Sequence, residues 1–102
     1  MATVIKNNHQ KYEEEILKLN HPDCYEKLSA EYKQALGEWI GMRFEKATRA
    51  HNSWSYSLKH DFERDTGIYV TNGEFKGAML VVGFTPIDNE ELNWSFKIKI
   101  KK

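Results

Sequence analysis

Residues 93–101 alternate without a break. Trp94, Phe96, Ile98 and Ile100 fall on one side, and Asn93, Ser95, Lys97, Lys99 and Lys101 on the other. A period of two belongs to a half-buried strand, because successive side chains leave a pleated backbone on opposite faces. Such a strand needs a partner. The segment 84–87 is the nearest candidate, and its Pro86, which has no N–H to give, suits an edge. Asp88-Asn89-Glu90-Glu91 between the two reads as a polar turn.

Upstream of this hairpin the signals are helical. In Thr71-Asn72-Gly73-Glu74 the threonine hydroxyl can cap a helix while the glutamate three residues on reaches back, a full capping box. The helix it starts is expected to bury Phe75, Ala78, Met79 and Val82 and to stop at Gly83. Another helix is expected from about Ser55 to Thr66, with Leu58 and Phe62 inward and Gly67 as its left-handed terminal residue. Ile68-Tyr69-Val70 between them reads as a short strand. The order over 53–100 is therefore helix, short strand, helix, strand, turn, strand. That is the order of a winged helix-turn-helix, a module most often used on nucleic acid.

The first half reads as helical. Tyr12, Ile16 and Leu19 recur at helical spacing over 9–19, and Asn20-His21-Pro22 ends that helix. Residues 1–8 read as a loose arm, or at most an edge strand at Thr3-Val4-Ile5. Asp23 and Glu26 resemble a second capping box, followed by Leu28, Tyr32, Ala35, Leu36 and Trp39 on one face. Gly37 and Gly41 each cost about 1 kcal/mol relative to alanine inside a helix. Either the helix breaks near Gly37 and restarts over 38–49, or it is continuous and the glycines admit a close neighbour. No proline or cap marks a break, which favours the continuous helix. His51-Asn52-Ser53 is a loop. The expectation is one α+β domain over 1–102: a helical part, 1–50, packed on a winged-helix-like part, 53–102, with a small antiparallel sheet. An apolar N-terminal face larger than that module can cover would form a dimer seam.

Charge limits what such a module can grip. Fifteen basic residues balance fifteen acidic ones, so the chain has no global attraction to phosphate or to an anionic membrane. Any nucleic-acid contact must come from a local patch. Cys24 is the only cysteine, which rules out an intrachain disulfide and a zinc site built on cysteines. The N-terminus does not read as a signal peptide, and no stretch reaches the roughly 18 apolar residues of a membrane span. A cytoplasmic protein with no membrane partner is expected.

The segments 55–60, Phe62-Glu63, 67–73, 75–80, Gly83-Phe84, Pro86 and 93–96 carry a resemblance. Over about residues 53–100 the chain resembles small uncharacterised proteins of prophages and mobile elements of Gram-positive bacteria. The resemblance implies a setting, not a mechanism. Small phage proteins of this size are often regulators of phage genes or inhibitors of host defence enzymes.

Two binding readings compete. If the module reads DNA, Asn72 and Lys76 face base edges, while Lys59, Arg64, Lys97 and Lys99 hold phosphate. Against this, Glu74 stands in the reading helix, and the wing tip carries Asp88, Glu90 and Glu91, which repel phosphate. The lysines at 97, 99 and 101 equally describe the solvated face of a strand. If the module binds protein, Trp54 and Tyr56 are the anchors beside the 51–53 loop, and Asp88, Glu90 and Glu91 meet a basic surface. Gly73 and Gly77 would then let a partner, or the chain's own backbone, approach their helix. Trp54 could instead plug the core between the two halves.

Catalysis has little support. Lys59, His60 and Asp61 point from different faces of a helix, His51 and Glu63 meet only if folding joins them, and no nucleophile elbow, phosphate loop or HExxH is present. His9, His21, His51 and His60 lack metal-ligand spacing. The expectation is a non-enzymatic binder with no cofactor or metal, taking a host protein more readily than DNA.

Overall fold

The computed structural model describes residues 8–48 and 53–101, with side chains from Glu14 onward. The expected edge strand at 3–5, His51 and Asn52, and the side chains of His9 and Tyr12 lie outside the described residues. The order is α1 (Asn8–Leu19), a 3-10 helix (Pro22–Lys27), α2 (Ala30–Arg43), β1 (Phe44–Lys46), α3 (Ser55–Thr66), α4 (Asn72–Val82) and β2 (Ile98–Ile100). The fold is α+β, with helices packed around a small antiparallel sheet.

Local chemistry sets the helix ends. The capping box of α4 is complete: Glu74 N donates to Thr71 Oγ1 at 3.1 Å, and Thr71 N donates to Glu74 Oε1 at 2.7 Å. Gly67 (φ 74) and Gly83 (φ 117) close α3 and α4 in the left-handed region, where a side chain would be strained. The second expected box is corrected. Pro22 opens a 3-10 helix whose cap is His21, with Nδ1 accepting from Asp23 N at 3.1 Å. Leu28 is extended, and α2 starts afresh behind Ser29, whose hydroxyl accepts from Tyr32 N.

The helix α2 runs unbroken through Gly37 and Gly41, but the expected close neighbour is missing: a Cβ at either position would meet nothing within 4 Å. The two glycines therefore only weaken the helix. Gly37→Ala should stabilise the protein by about 0.5–1 kcal/mol and raise its melting temperature by several degrees in thermal denaturation.

The sheet joins distant parts of the chain. β1 and β2 are antiparallel in the register Phe44↔Ile100, Glu45↔Lys99, Lys46↔Ile98. Single bridges extend the same line, Trp54↔Ser95 on one edge and Pro86↔Phe96 on the other. Residues 94–101 thus form a spine with neighbours on both sides. The alternation read from the sequence holds for Trp94, Phe96 and Ile98, which are buried, and fails at Ile100, which is exposed. Two expected strands are corrected. The 84–87 segment contributes only the bridge at Pro86. The 68–70 segment forms no strand, and Val70 N donates to the Glu63 carboxylate at 3.0 Å instead of to a ladder carbonyl.

One core serves both halves. Leu36, Ile40 and Phe44 pack with Phe62, Phe75 and Phe96. Trp39 meets Phe44, Phe62 and Phe75 edge-on, with ring centroids 5.4, 5.6 and 6.2 Å away, and donates its indole N–H to Asp65 at 2.9 Å. Trp39, not Trp54, joins the halves. Gly73 and Gly77 admit the chain's own backbone: a Cβ on Gly73 would lie 2.3 Å from His21 O, and one on Gly77 would lie 2.5 Å from Pro22 O and 2.3 Å from Tyr25 Cβ. The 3-10 helix consequently lies directly against the N-terminal half of α4.

Candidate functional site

That close approach buries the residues expected to read bases. Asn72 and Lys76 are 7% and 2% exposed. Both point at the end of α1. Asn72 Nδ2 donates to Asn20 Oδ1 at 2.7 Å and to Leu92 O at 3.2 Å, and Lys76 Nζ donates to Asn20 O at 2.9 Å. The expected exposed reading face of α4 is therefore corrected. The exposed residues of this helix are Leu80, Val81 and Val82, at its other end.

The expected phosphate ligands are mostly engaged with carboxylates. Lys59 is buried and pairs with Glu63 at 3.1 Å, Arg64 pairs with Asp61 at 3.2 Å, and Lys99 pairs with Glu45 at 3.3 Å. Lys97 is exposed and, among the described residues, has no carboxylate partner. The structure brings these cations to no common surface with Asn72 and Lys76.

Around Lys76 the chain forms a cleft of about 790 Å³. One wall comes from the end of α1 and the following turn, through Leu17, Asn20 and Pro22. The other comes from residues 85–92, with Ile87 and Leu92 apolar and Asp88, Glu90 and Glu91 acidic. Leu80 of α4 lines it as well. Lys76 and Trp94, both buried, are its deepest residues, and the ammonium lies 4.9 Å from the centroid of the indole ring. Asn20 O ends a helix, so its negative dipole end steadies that ammonium. Among the described residues no carboxylate pairs with it, and burial pushes its pKa below the ordinary lysine value. An ammonium has three N–H groups, and one is satisfied here by a protein hydrogen bond.

The expected protein-contact residues lie at this cleft and beside it. Asp88, Glu90 and Glu91 are exposed at the rim, where Asp88 Oδ1 holds the turn by accepting from Glu90 N at 2.9 Å. Trp54 and Tyr56 are 40% and 53% exposed and do not line the cleft. Asn93 links the two places, since its Oδ1 accepts from Tyr56 N at 2.9 Å and from Ser55 Oγ at 3.0 Å just after the acidic turn. Sequence reasoning missed Leu17, Asn20, Leu80 and Trp94 as neighbours of one hollow. The signal that was available is the Leu80-Val81-Val82 run, three apolar residues in a row where a two-sided helix should show a polar face.

A second cluster lies on α3. The Glu63 carboxylate accepts from Lys59 and from Val70 N, and its other oxygen lies 3.0 Å from His60 Nδ1. Burial opposes its ionisation, but the Val70 N–H, the Lys59 ammonium and His60 outweigh burial and hold its pKa below the usual carboxylate range. Lys59 also lies 5.3 Å from the Tyr56 ring and 4.9 Å from the Tyr69 ring. Among the described residues no three His, Cys, Asp or Glu side chains converge as a metal site, and no helix is long and apolar enough to cross a membrane. Comparison with protein-family models, curated proteins and solved structures gives no match.

Proposed function

We propose that the chain is a non-enzymatic protein-binding module. It acts in the cytoplasm as a regulator or inhibitor carried by a prophage or mobile element. Its target is a host macromolecule such as a nucleic-acid-processing defence enzyme. One observation carries the reading: the cleft presents apolar walls under an acidic rim of Asp88, Glu90 and Glu91. That combination suits a partner segment whose apolar residues are flanked by basic ones. The acidic rim also fits a surface that normally holds nucleic acid. The alternative, a winged-helix DNA-binding regulator, loses support because Asn72 and Lys76 are buried within the chain.

The test is capture from host lysate after nuclease treatment, with the wild type beside a Glu90→Lys/Glu91→Lys double variant and beside Trp54→Ala. The wild type should retain a protein partner. The charge reversal should lose it, and Trp54→Ala should weaken capture about tenfold while its melting temperature stays near wild type, since the ring is exposed. Salt-sensitive binding of one defined duplex by the purified chain, with no nuclease-resistant partner, would overturn the reading.

A further inference from the structure

Lys76 is 2% exposed as a residue, and its ammonium has the Trp94 indole 4.9 Å away and one protein hydrogen bond for three N–H groups, with no described carboxylate to neutralise it. A buried charge left this way is costly unless something completes its shell. It also lies where an occupant of the cleft would end, because Lys76 and Trp94 are the most buried of the lining residues. An anion is the matching chemistry at that depth, and a carboxylate makes short, charge-assisted hydrogen bonds to an ammonium. The rim sets the opposite demand, since Asp88, Glu90 and Glu91 repel a bare anion and attract a cation. Between floor and rim the walls are apolar, from Leu17, Leu80, Ile87 and Leu92.

Resting on the protein-binding reading above, we propose that the cleft captures the free C-terminus of a partner protein, with the terminal carboxylate on Lys76, an apolar final side chain against Trp94 and Leu80, and basic residues just before it on the acidic rim. A terminus is preferred to an internal Asp or Glu. The group that reaches the deepest point leads the occupant in, and a terminal carboxylate brings no following chain to be led out again. The volume, about 790 Å³, is within the usual range for ligand clefts and suits a few residues. Capture of a C-terminal carboxylate is a recurring way of reading a peptide.

The experiment uses the intact protein and two octapeptide libraries, identical except that one ends in free carboxylates and the other in amides. The acid library should be retained. Its bound fraction should be rich in Leu, Ile or Phe at the last position and Lys or Arg shortly before it. A resynthesised consensus peptide should bind at least tenfold more tightly as acid than as amide. Lys76→Met should erase that difference. Because Lys76 also holds the end of α1, Glu90→Gln/Glu91→Gln serves as a second variant on exposed residues: it should weaken binding severalfold and remove the basic preference while keeping the acid-over-amide ratio. Equal retention of acids and amides overturns the inference and leaves the protein-binding reading intact. So does retention of neither library by a protein that still captures a host partner. Failure of lysate capture itself counts against the broader reading.

Discussion

Gly77→Ala should destabilise the protein by about 2–3 kcal/mol and lower its melting temperature by roughly 10–20 °C. The added methyl would stand 2.3 Å from Tyr25 Cβ, 2.5 Å from Pro22 O and 3.0 Å from Tyr25 Cγ. Two of these atoms belong to a buried ring residue, and the third is backbone. None is the free end of a flexible side chain that could swing aside. The 3-10 helix must therefore lift from α4, loosening the core around Tyr25. Alanine is also the better helix former by about 1 kcal/mol, which works in the opposite direction and is smaller. Gly73→Ala should behave alike, since its methyl would meet only backbone, at His21 O, Leu19 O and His21 N. Gly37→Ala, with open space around it, is the internal control of opposite sign. Urea unfolding of the three variants measures all of this. A Gly77→Ala protein as stable as wild type would falsify the close docking of the two helices.

Removal of the Glu63 carboxylate should be comparably severe. Glu63→Ala leaves the Lys59 ammonium, 4% exposed, without its counter-charge, and Val70 N without an acceptor. Breaking one side of a pair this buried costs about 3 kcal/mol. The pH dependence has a definite sign. The folded protein holds the Glu63 pKa below its ordinary value, so its stabilisation is fully present above the ordinary carboxylate pKa of about 4.3 and is lost as pH falls through the lowered folded value. The gap between wild type and Glu63→Ala should accordingly be widest near neutrality and narrow in acid. Urea unfolding at several pH values measures it, and a gap that widens in acid would reject this role.

Much of the helical structure was legible because its signals are local. The Thr71–Glu74 box, Gly67 and Gly83 act within one turn of backbone, and the C-terminal end of α3 and both ends of α4 follow from them. Ser29 was missed as a cap because no Glu or Gln stands three residues on to complete a box. The sheet was only half legible. The alternation at 93–101 announces a strand but not its partner, and Phe44–Lys46 has no period of its own in a run that reads as the tail of a helix. Ile68-Tyr69-Val70 has strand composition, yet the nearest acceptor for Val70 N is a carboxylate on α3. The candidate site divides in the same way. Asp88, Glu90 and Glu91 were readable as an exposed acidic turn. The floor was not, because Lys76, Asn20 and Trp94 meet only after α1, α4 and the 85–94 segment have packed. Lys76 looks like any lysine on a capped helix until Gly73 lets the end of α1 and the following turn close onto it.

The spine formed by residues 94–101 has a consequence for biosynthesis. Phe44 has its strand partner only when Ile100 has been made, and Ser53 N-terminal to α3 likewise waits for Phe96. At about 5–20 residues per second, a ribosome leaves the edge of β1 without its partner strand for several seconds. During that interval the nascent chain offers the unpaired backbone of Phe44–Lys46 to whatever is nearby, so its yield in a cell should depend on chaperone supply more than its modest size implies.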